Sequence, residues 1–399
     1  MTNRLDRDFH LPGLLRFALP TIIMMLVVSL YTIVDGVLIA RLVGENALAA
    51  ANVAYPAISF TLAMGIMLGT GGSAVVAHKM GAGYLEEARR DFGFLALVAV
   101  CIGLAVCLAG ALFAGPLARL LGASDLLLDD TVTYLRVQLC FAPMAMLQLL
   151  FESFFVTAGR PGLGLGLATA AGVTNAVLDY LYMGPMQMGI LGAALGTVTG
   201  YSIPAVAGGL FFLLRRQGLR FGRPHGDLRM LGRACFNGAS EMVTNLSMAV
   251  TTFLFNAIMM AYLGEAGVSA ITIVLYAQFL LVALYMGFSM GVAPVFSFNR
   301  GAGRYDRMRR IFGYCLRFIL VSSVAILAVA LALSGVVVGI FSTPGSPVYA
   351  IALDGFRRFA PAFLFAGVNI FSSALFTALS DGRTSAIISF ARTFGFLLL

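Results

Sequence analysis

Apolar runs broken by Gly, Pro and charge clusters divide the chain into ten complete segments and a stub: 14–40, 50–77, 92–114, 131–153, 162–183, 189–214, 234–262, 268–297, 312–341, 352–377 and 384–399. At 1.5 Å rise per residue, about 20 apolar residues cross a hydrocarbon layer roughly 30 Å thick, so each complete segment predicts a membrane-spanning helix. The first run, LLRFALPTIIMMLVVSLYTIVDGVLIA, is almost wholly apolar yet carries Asp35 near its far end. A carboxylate at the centre of such a span costs at least ~2.5–3.5 kcal/mol, which makes a functional role the default reading. Pro20 removes a backbone donor near the opposite end and is the expected bend point. The run is too long for a cleaved signal and lacks a small-x-small exit, so we expect it to stay in the protein.

Composition sharpens this into an all-α integral membrane protein. Of 399 residues 60% are hydrophobic and 11% charged, and the mean hydropathy is +0.94, more apolar surface than a soluble core uses. A net charge of +8 would suggest nucleic acid in a soluble domain. Here the arginines sit in short loops between spans, where they set topology, and nucleic-acid binding is not expected. One set of alternate loops carries Arg4, Arg7 and Arg16, then Lys79, Arg89 and Arg90, then Arg160, the 215–233 cluster, the 300–310 cluster and Arg383. The other set holds Arg41 and Arg119, with Arg136, Arg357 and Arg358 at span entrances. This asymmetry places the N-terminus in the cytoplasm and the protein in the plasma membrane as a multi-pass chain. The five cysteines, Cys101, Cys107, Cys140, Cys235 and Cys315, lie in or beside apolar runs without metal-ligand spacing and read as small buried hydrophobes.

An internal repeat emerges at a shift of 220 residues. GAGYLEEARRDFG at 81–93 overlies GAGRYDRMRRIFG at 301–313, with seven of thirteen positions identical. Gly44-Glu45 falls over Gly264-Glu265, Gly71 over Gly291, and Ala142-Pro143 over Ala360-Pro361 after a two-residue slip. Six spans per repeat is an even number, so the halves are expected as parallel repeats about an axis along the membrane normal. We divide the chain into a six-helix lobe at 1–222 and a second lobe at 223–399, the latter with four complete helices and a partial fifth. The repeat predicts a helix and a half beyond Leu399, so a C-terminally truncated chain, even an inactive fragment, is one expectation.

With sidedness set, depth follows. Asp35 lies near the outer end of span 1, Asp179 near the outer end of span 5, and Asn175 one turn before Asp179 on the same face. Thr197 on span 6 and Tyr134 at the head of span 4 reach a similar outer-half depth. Five hydrogen-bonding groups from four helices thus share a layer, which is what a proton or small-cation site inside a bundle requires. Elsewhere, Glu241 on span 7 stands either in an ion pair with Arg392 or as a carboxylate facing the substrate, with Asn245 one turn on. Glu152 sits at the inner end of span 4, within reach of interfacial water. Gly192, Gly196 and Gly200 form a small-xxx-small ridge for helix packing. GTGGS at 69–73 lacks the following Lys and lies in a span, which excludes a phosphate loop. The span methionines are filler, a share of them fit to line an adaptable apolar cavity. No nucleotide-binding domain is present, so any pumping is expected to run on an ion gradient. No nucleophile–base pair or metal cluster shares one depth, so an enzyme is not expected.

These residues resemble the multidrug and toxic compound extrusion (MATE) family. The matching stretches are FALP (17–20), VDGVLIARLVG (34–44), GAGYLEEARR (81–90), TAGRPG (157–162), TNAVLDYLYM (174–183) and GILGAALGTVTGYS (189–202). The resemblance implies two six-helix lobes forming a V around a central cavity, and exchange of Na⁺ or H⁺ for cationic, amphiphilic compounds by alternating access. It carries the family's cation-site residues onto Asp35, Asn175, Asp179, Thr197 and Tyr134, and its helix-1 hinge onto Pro20. Span 10 offers Asn369 in place of the acid of the NorM-type branch, which brings the chain nearer the DinF-type and MepA-like branches. The expected substrate cavity includes Glu241, Asn245, Gln278, Met64 and Met286. No cofactor is implied beyond H⁺ or Na⁺, and no metal beyond Na⁺ at Asp35 and Asp179. Partners would be cationic drugs and membrane lipids, with the protein a monomer. The rival within the superfamily is a lipid-linked oligosaccharide flippase, whose pyrophosphate substrate calls for Arg or Lys in the cavity.

Overall fold

A computed structural model describes residues 4–391, and within them every side chain except those of 4, 45, 248, 249, 253 and 265. After a short 3₁₀ turn at Arg4–Asp6 the chain is a succession of helices. The first half comprises α1 (Leu11–Leu42), α2 (Glu45–Gly81), α3 (Leu85–Leu120), α4 (Leu128–Cys140), α5 (Ala142–Thr157), α6 (Pro161–Met183) and α7 (Gly189–Leu214). The second comprises α8 (Leu228–Gly301), α9 (Tyr305–Ala332), α10 (Ser334–Phe341), α11 (Pro347–Phe359), α12 (Phe363–Ala378) and α13 (Gly382–Phe390), with a 3₁₀ turn at Ala360–Ala362. Among the described residues nine helices are long and apolar enough to cross a membrane, and α4 with α5 make a tenth. This is an all-α, multi-pass membrane protein. Large apolar side chains such as Leu108, Leu112, Leu213 and Val321 stand exposed on its flanks, because lipid tails solvate them as well as a protein core would. Cys101 is likewise exposed rather than buried.

The spans follow the apolar runs, with four departures at their breaks, one of them in span 9, which divides at Leu333 into α9 and α10. Span 4 is two helices bent by 54° at Phe141, and the matching span 10 is interrupted at Ala360–Ala362. Both breaks fall at the repeat-related Ala-Pro pairs, Ala142-Pro143 and Ala360-Pro361. Proline lacks the N–H of the helical ladder and its ring clashes with the carbonyl one turn back. Spans 7 and 8 are not separated by a loop: α8 continues through Gly264, whose φ of 63° turns the chain between the arms Leu228–Gly264 and Ala266–Gly301. Pro20, by contrast, lies inside an unbroken α1.

The ends of α2, α3, α5 and α7 that carry the arginine clusters gather at one end of the bundle. There the first half is sealed by a phenylalanine cluster. Phe92 packs against Phe154 at 4.4 Å and stacks on Phe221 at 4.9 Å, with Phe151 and Phe212 alongside. The most extensive contact in the molecule joins α2 to α8, and it repeats the internal symmetry of the chain. A methyl group on Gly81 would overlap the carbonyl oxygen of Phe298, and one on Gly301 would overlap that of His78. These two contacts are related by the same shift of 220 residues seen in the sequence. Gly71 meets Ala234 and Gly238, while its repeat mate Gly291 meets Ala18, the mate of Gly238. Glycine at these positions lets backbone approach backbone, as in tightly crossed membrane helices.

The segment that precedes α1 crosses to the other half, and the linker before α8 folds back on the first. Asp6 pairs with Arg304 and its carbonyl accepts from Arg307 at 3.2 Å, while Asp8 pairs with Arg310 at 3.3 Å. The linker before α8 binds α3, where Gly222 N–H donates to the Arg89 carbonyl at 3.0 Å and Arg89 Nε donates to Gly218 at 2.9 Å.

Candidate functional site

The five polar groups expected at one depth come from α1, α4, α6 and α7, and the fold brings them together. α6 and α7 pack closely along their length because α7 presents Gly192, Gly196 and Gly200 to α6 at one-turn spacing. Successive turns of α6 carry Asn175, Asp179 and Met183 on the facing side, all buried. Asn175 Nδ2 donates to Asp179 Oδ2 at 2.9 Å. Asp179 is fully buried, and Asp35 reaches across from α1 so that the two carboxyl groups face one another within hydrogen-bonding range. Two bare carboxylates cannot hold that contact without a proton or cation between them, since neither has a hydrogen to donate. Asp35 Oδ1 and Asp179 Oδ1 are both buried and accept no hydrogen bond among the described residues. Thr197 is buried beside the pair, its hydroxyl donating to the Ala193 carbonyl at 3.0 Å. The buried Tyr134 phenol lies between Thr197 and Gln138 and within electrostatic range of both aspartates. Every atom available here for an ion is an oxygen, the donor type suited to hard cations and to protons.

The structure adds neighbours that reading by depth had left out. Gln138 lies one turn beyond Tyr134, and Tyr31 one turn before Asp35, so i±4 spacing on the same faces would have found both. Tyr31 stands beside Gln148 and within electrostatic range of Asp35 and Glu152. Tyr201 from α7 lies near Tyr31, Tyr134 and Asp35. Glu152 does not reach interfacial water. It is 4% exposed and accepts a hydrogen bond from Gln148 Nε2 at 3.0 Å, one turn away on α5. The reason is that α5 turns inward after its proline-imposed start, burying every side chain from Leu150 to Thr157.

The residues expected in a substrate cavity lie on other elements. Met64 is on α2, Glu241 and Asn245 on the first arm of α8, Gln278 and Met286 on the second, and all five are half-buried. Glu241 Oε1 accepts from the Ser373 hydroxyl at 3.3 Å, and Asn245 Nδ2 donates to the Glu241 carbonyl at 2.8 Å. That serine belongs to a buried hydroxyl cluster joining α8, α12 and α13. In it Ser385 donates to Ser240 at 2.7 Å and lies 3.0 Å from Thr377, while Ser373 lies 2.8 Å from Ser389. Arg392, the expected partner of Glu241, lies outside the described residues.

Comparison with known proteins bears on the whole chain. A family model described as MatE matches residues 20–181 and 242–398. Multidrug export protein MepA of Staphylococcus aureus (strain NCTC 8325 / PS 47) is 23% identical over 390 residues, covering 94% of this chain and 83% of that protein. Among solved structures, a MATE crystal structure in complex with MaL6 superposes with a TM-score of 0.90 at 20% identity, over 96% of this chain and 86% of that one. The outward-facing conformation of a multidrug resistance MATE family transporter of the MOP superfamily gives a TM-score of 0.89 at 20% identity, over 96% and 85%.

Proposed function

The chain belongs to the MatE family, whose members are membrane transporters and not enzymes, and on that premise we propose that it is a multidrug efflux antiporter of the cytoplasmic membrane. It exchanges H⁺ or Na⁺ for cationic, amphiphilic compounds. The observation that carries this reading is the pairing of half-buried Asp35 with fully buried Asp179, carboxyl to carboxyl, with a buried oxygen on each left unbonded. Such a pair in hydrocarbon is stable when a proton or cation neutralises part of its charge. It therefore binds the coupling ion, with Asn175, Thr197 and Tyr134 completing the polar surround.

The arginine-rich end faces the cytoplasm, in keeping with the bias of basic residues toward that side of a membrane. The two lobes, 1–222 and 223–399, close there through the Gly81 and Gly301 contacts and open alternately to either side, and the protein works as a monomer within its lipids. Ion binding at Asp35 and Asp179 favours one arrangement of α1 and α6 and substrate binding the other. Exchange requires that difference, since a ligand with equal affinity for both states drives nothing. Pro20 is where α1 gives way, because the missing N–H at that turn makes bending cheap. The substrate lies against Met64, Met286, Gln278, Asn245 and Glu241, whose apolar and acidic mix suits an amphiphilic cation.

The test is transport of ethidium by the purified chain in vesicles, with ΔpH and a Na⁺ gradient imposed separately. One of the two gradients should drive uptake, and Asp35→Asn or Asp179→Asn should abolish the drive. Wild-type rates in both variants would sink the ion-pair reading.

A further inference from the structure

Gly196 was expected to serve helix packing, and its neighbours on α7 do that. Gly192 stands against Tyr182, where an added methyl would come within 2.8 Å of Cβ, and Gly200 stands 3.3 Å from the Asn175 Cβ on the same measure. Gly196 differs from both. A methyl there would sit 3.0 Å from the carboxyl carbon of Asp179 and would overlap its Oδ1 outright. The oxygen that fills the place of the missing side chain is the same one that is buried without a hydrogen-bond donor. Asp179 itself is 0% exposed, so its carboxyl has little freedom to rotate elsewhere. Oδ2 is tied to Asn175 and the chain of Asp179 is held by α6.

We propose that Gly196 is a positioning residue for the ion pair: by lacking a side chain it seats the Asp179 carboxyl against α7, leaving Oδ1 buried and the group facing Asp35. This rests on the reading of Asp35 and Asp179 as the coupling-ion site. A methyl at Gly196 forces the carboxyl off the α7 backbone, which alters its separation from Asp35 and the charge balance an ion experiences there. The glycine thus sets ion affinity without touching the ion.

The experiment measures ethidium transport in vesicles by the full chain, titrating proton or Na⁺ concentration, for wild type, Gly196→Ala, Gly192→Ala and Asp179→Asn. Gly196→Ala should change the half-saturating ion concentration by about tenfold, because charged neighbours within ~4–6 Å influence one another on that scale. Gly192→Ala meets Tyr182 rather than the acid and should leave that concentration unchanged. Equal shifts in both glycine variants, or a shift in neither, would overturn the proposal. Should Asp179→Asn retain wild-type ion dependence, the ion-pair reading fails and the role of Gly196 with it. If Asp179→Asn loses ion dependence while Gly196→Ala keeps it, the pair stands and only the seat is wrong. Where Gly196→Ala is too unstable for transport, melting temperatures in detergent decide. Adding Asp179→Ala removes the overlapping oxygen and should raise the Tm of Gly196→Ala but not of Gly192→Ala. Absence of that selective rescue counts against the proposal.

Discussion

Replacing Gly81 with alanine should loosen the seal between α2 and α8 at the arginine-rich end. The new methyl would overlap the Phe298 carbonyl oxygen and lie 2.8 Å from the carbonyl carbon, which belongs to backbone and cannot swing aside. Relief requires the two helices to part. Inserting a methyl into a close-packed contact of this kind costs about 1–3 kcal/mol. The cost falls only on states in which the helices touch, so it reduces the closed population relative to the open by about 5–150-fold. Gly301→Ala should act alike, since its repeat-related contact with the His78 carbonyl has the same geometry. Gly313→Ala is the control, because a methyl there meets nothing within 4 Å. Spin labels replacing the exposed Arg160 and Arg383 in a cysteine-free background report the separation of the two halves at this end. Double electron–electron resonance should show the longer-distance population growing in Gly81→Ala and Gly301→Ala. Distance distributions matching wild type and Gly313→Ala would refute the backbone-contact argument.

Other perturbations test separate parts of the structure. Asp6→Asn with Asp8→Asn removes the ion pairs to Arg304 and Arg310; half-exposed pairs contribute about 0.2–1 kcal/mol each, so the same labels should show a smaller opening that 1 M NaCl reproduces in wild type. Gln148→Leu leaves the buried Glu152 carboxyl without its donor and should destabilise the protein by about 1–3 kcal/mol in thermal unfolding, whereas Gln148→Leu with Glu152→Leu should recover most of it. Asp227 caps α8 by accepting from the amides of Arg229 and Met230, both at 3.0 Å, and the Met230 bond foremost holds its carboxyl below the ordinary value of 3.8. A depressed carboxyl stabilises the folded state above its unfolded value and loses that contribution as pH falls through the folded one. Asp227→Ala should therefore speed amide exchange at Met230 near neutral pH, and the difference from wild type should shrink as pH falls below the ordinary carboxylate range.

The acidic layer was legible because intramembrane polar residues are rare, so each one carries weight. Asp35, Asn175, Asp179, Thr197 and Tyr134 stood out against apolar runs, and the fold brings these five together. Glu152 was visible too, but its burial was not. A residue near a span end is placed in water or in protein by the bend at Ala142-Pro143, and the direction of a bend is a three-dimensional property. The serine cluster around Ser385 left no mark at all. Serine is tolerated anywhere in a helix that can satisfy its hydroxyl on the preceding turn, so its presence predicts little.

Apolar run length by itself determined the number of spans, because a bilayer imposes one thickness on every helix. The shift of 220 residues likewise determined that the two halves share one design. Which backbones touch was decided only by the tertiary structure. Glycine has no side chain to announce a partner, and Gly81, Gly301 and Gly196 take their meaning from whatever the crossing helix places there. For Gly81 and Gly301 that is a carbonyl of the other half, and for Gly196 it is the unbonded oxygen of Asp179.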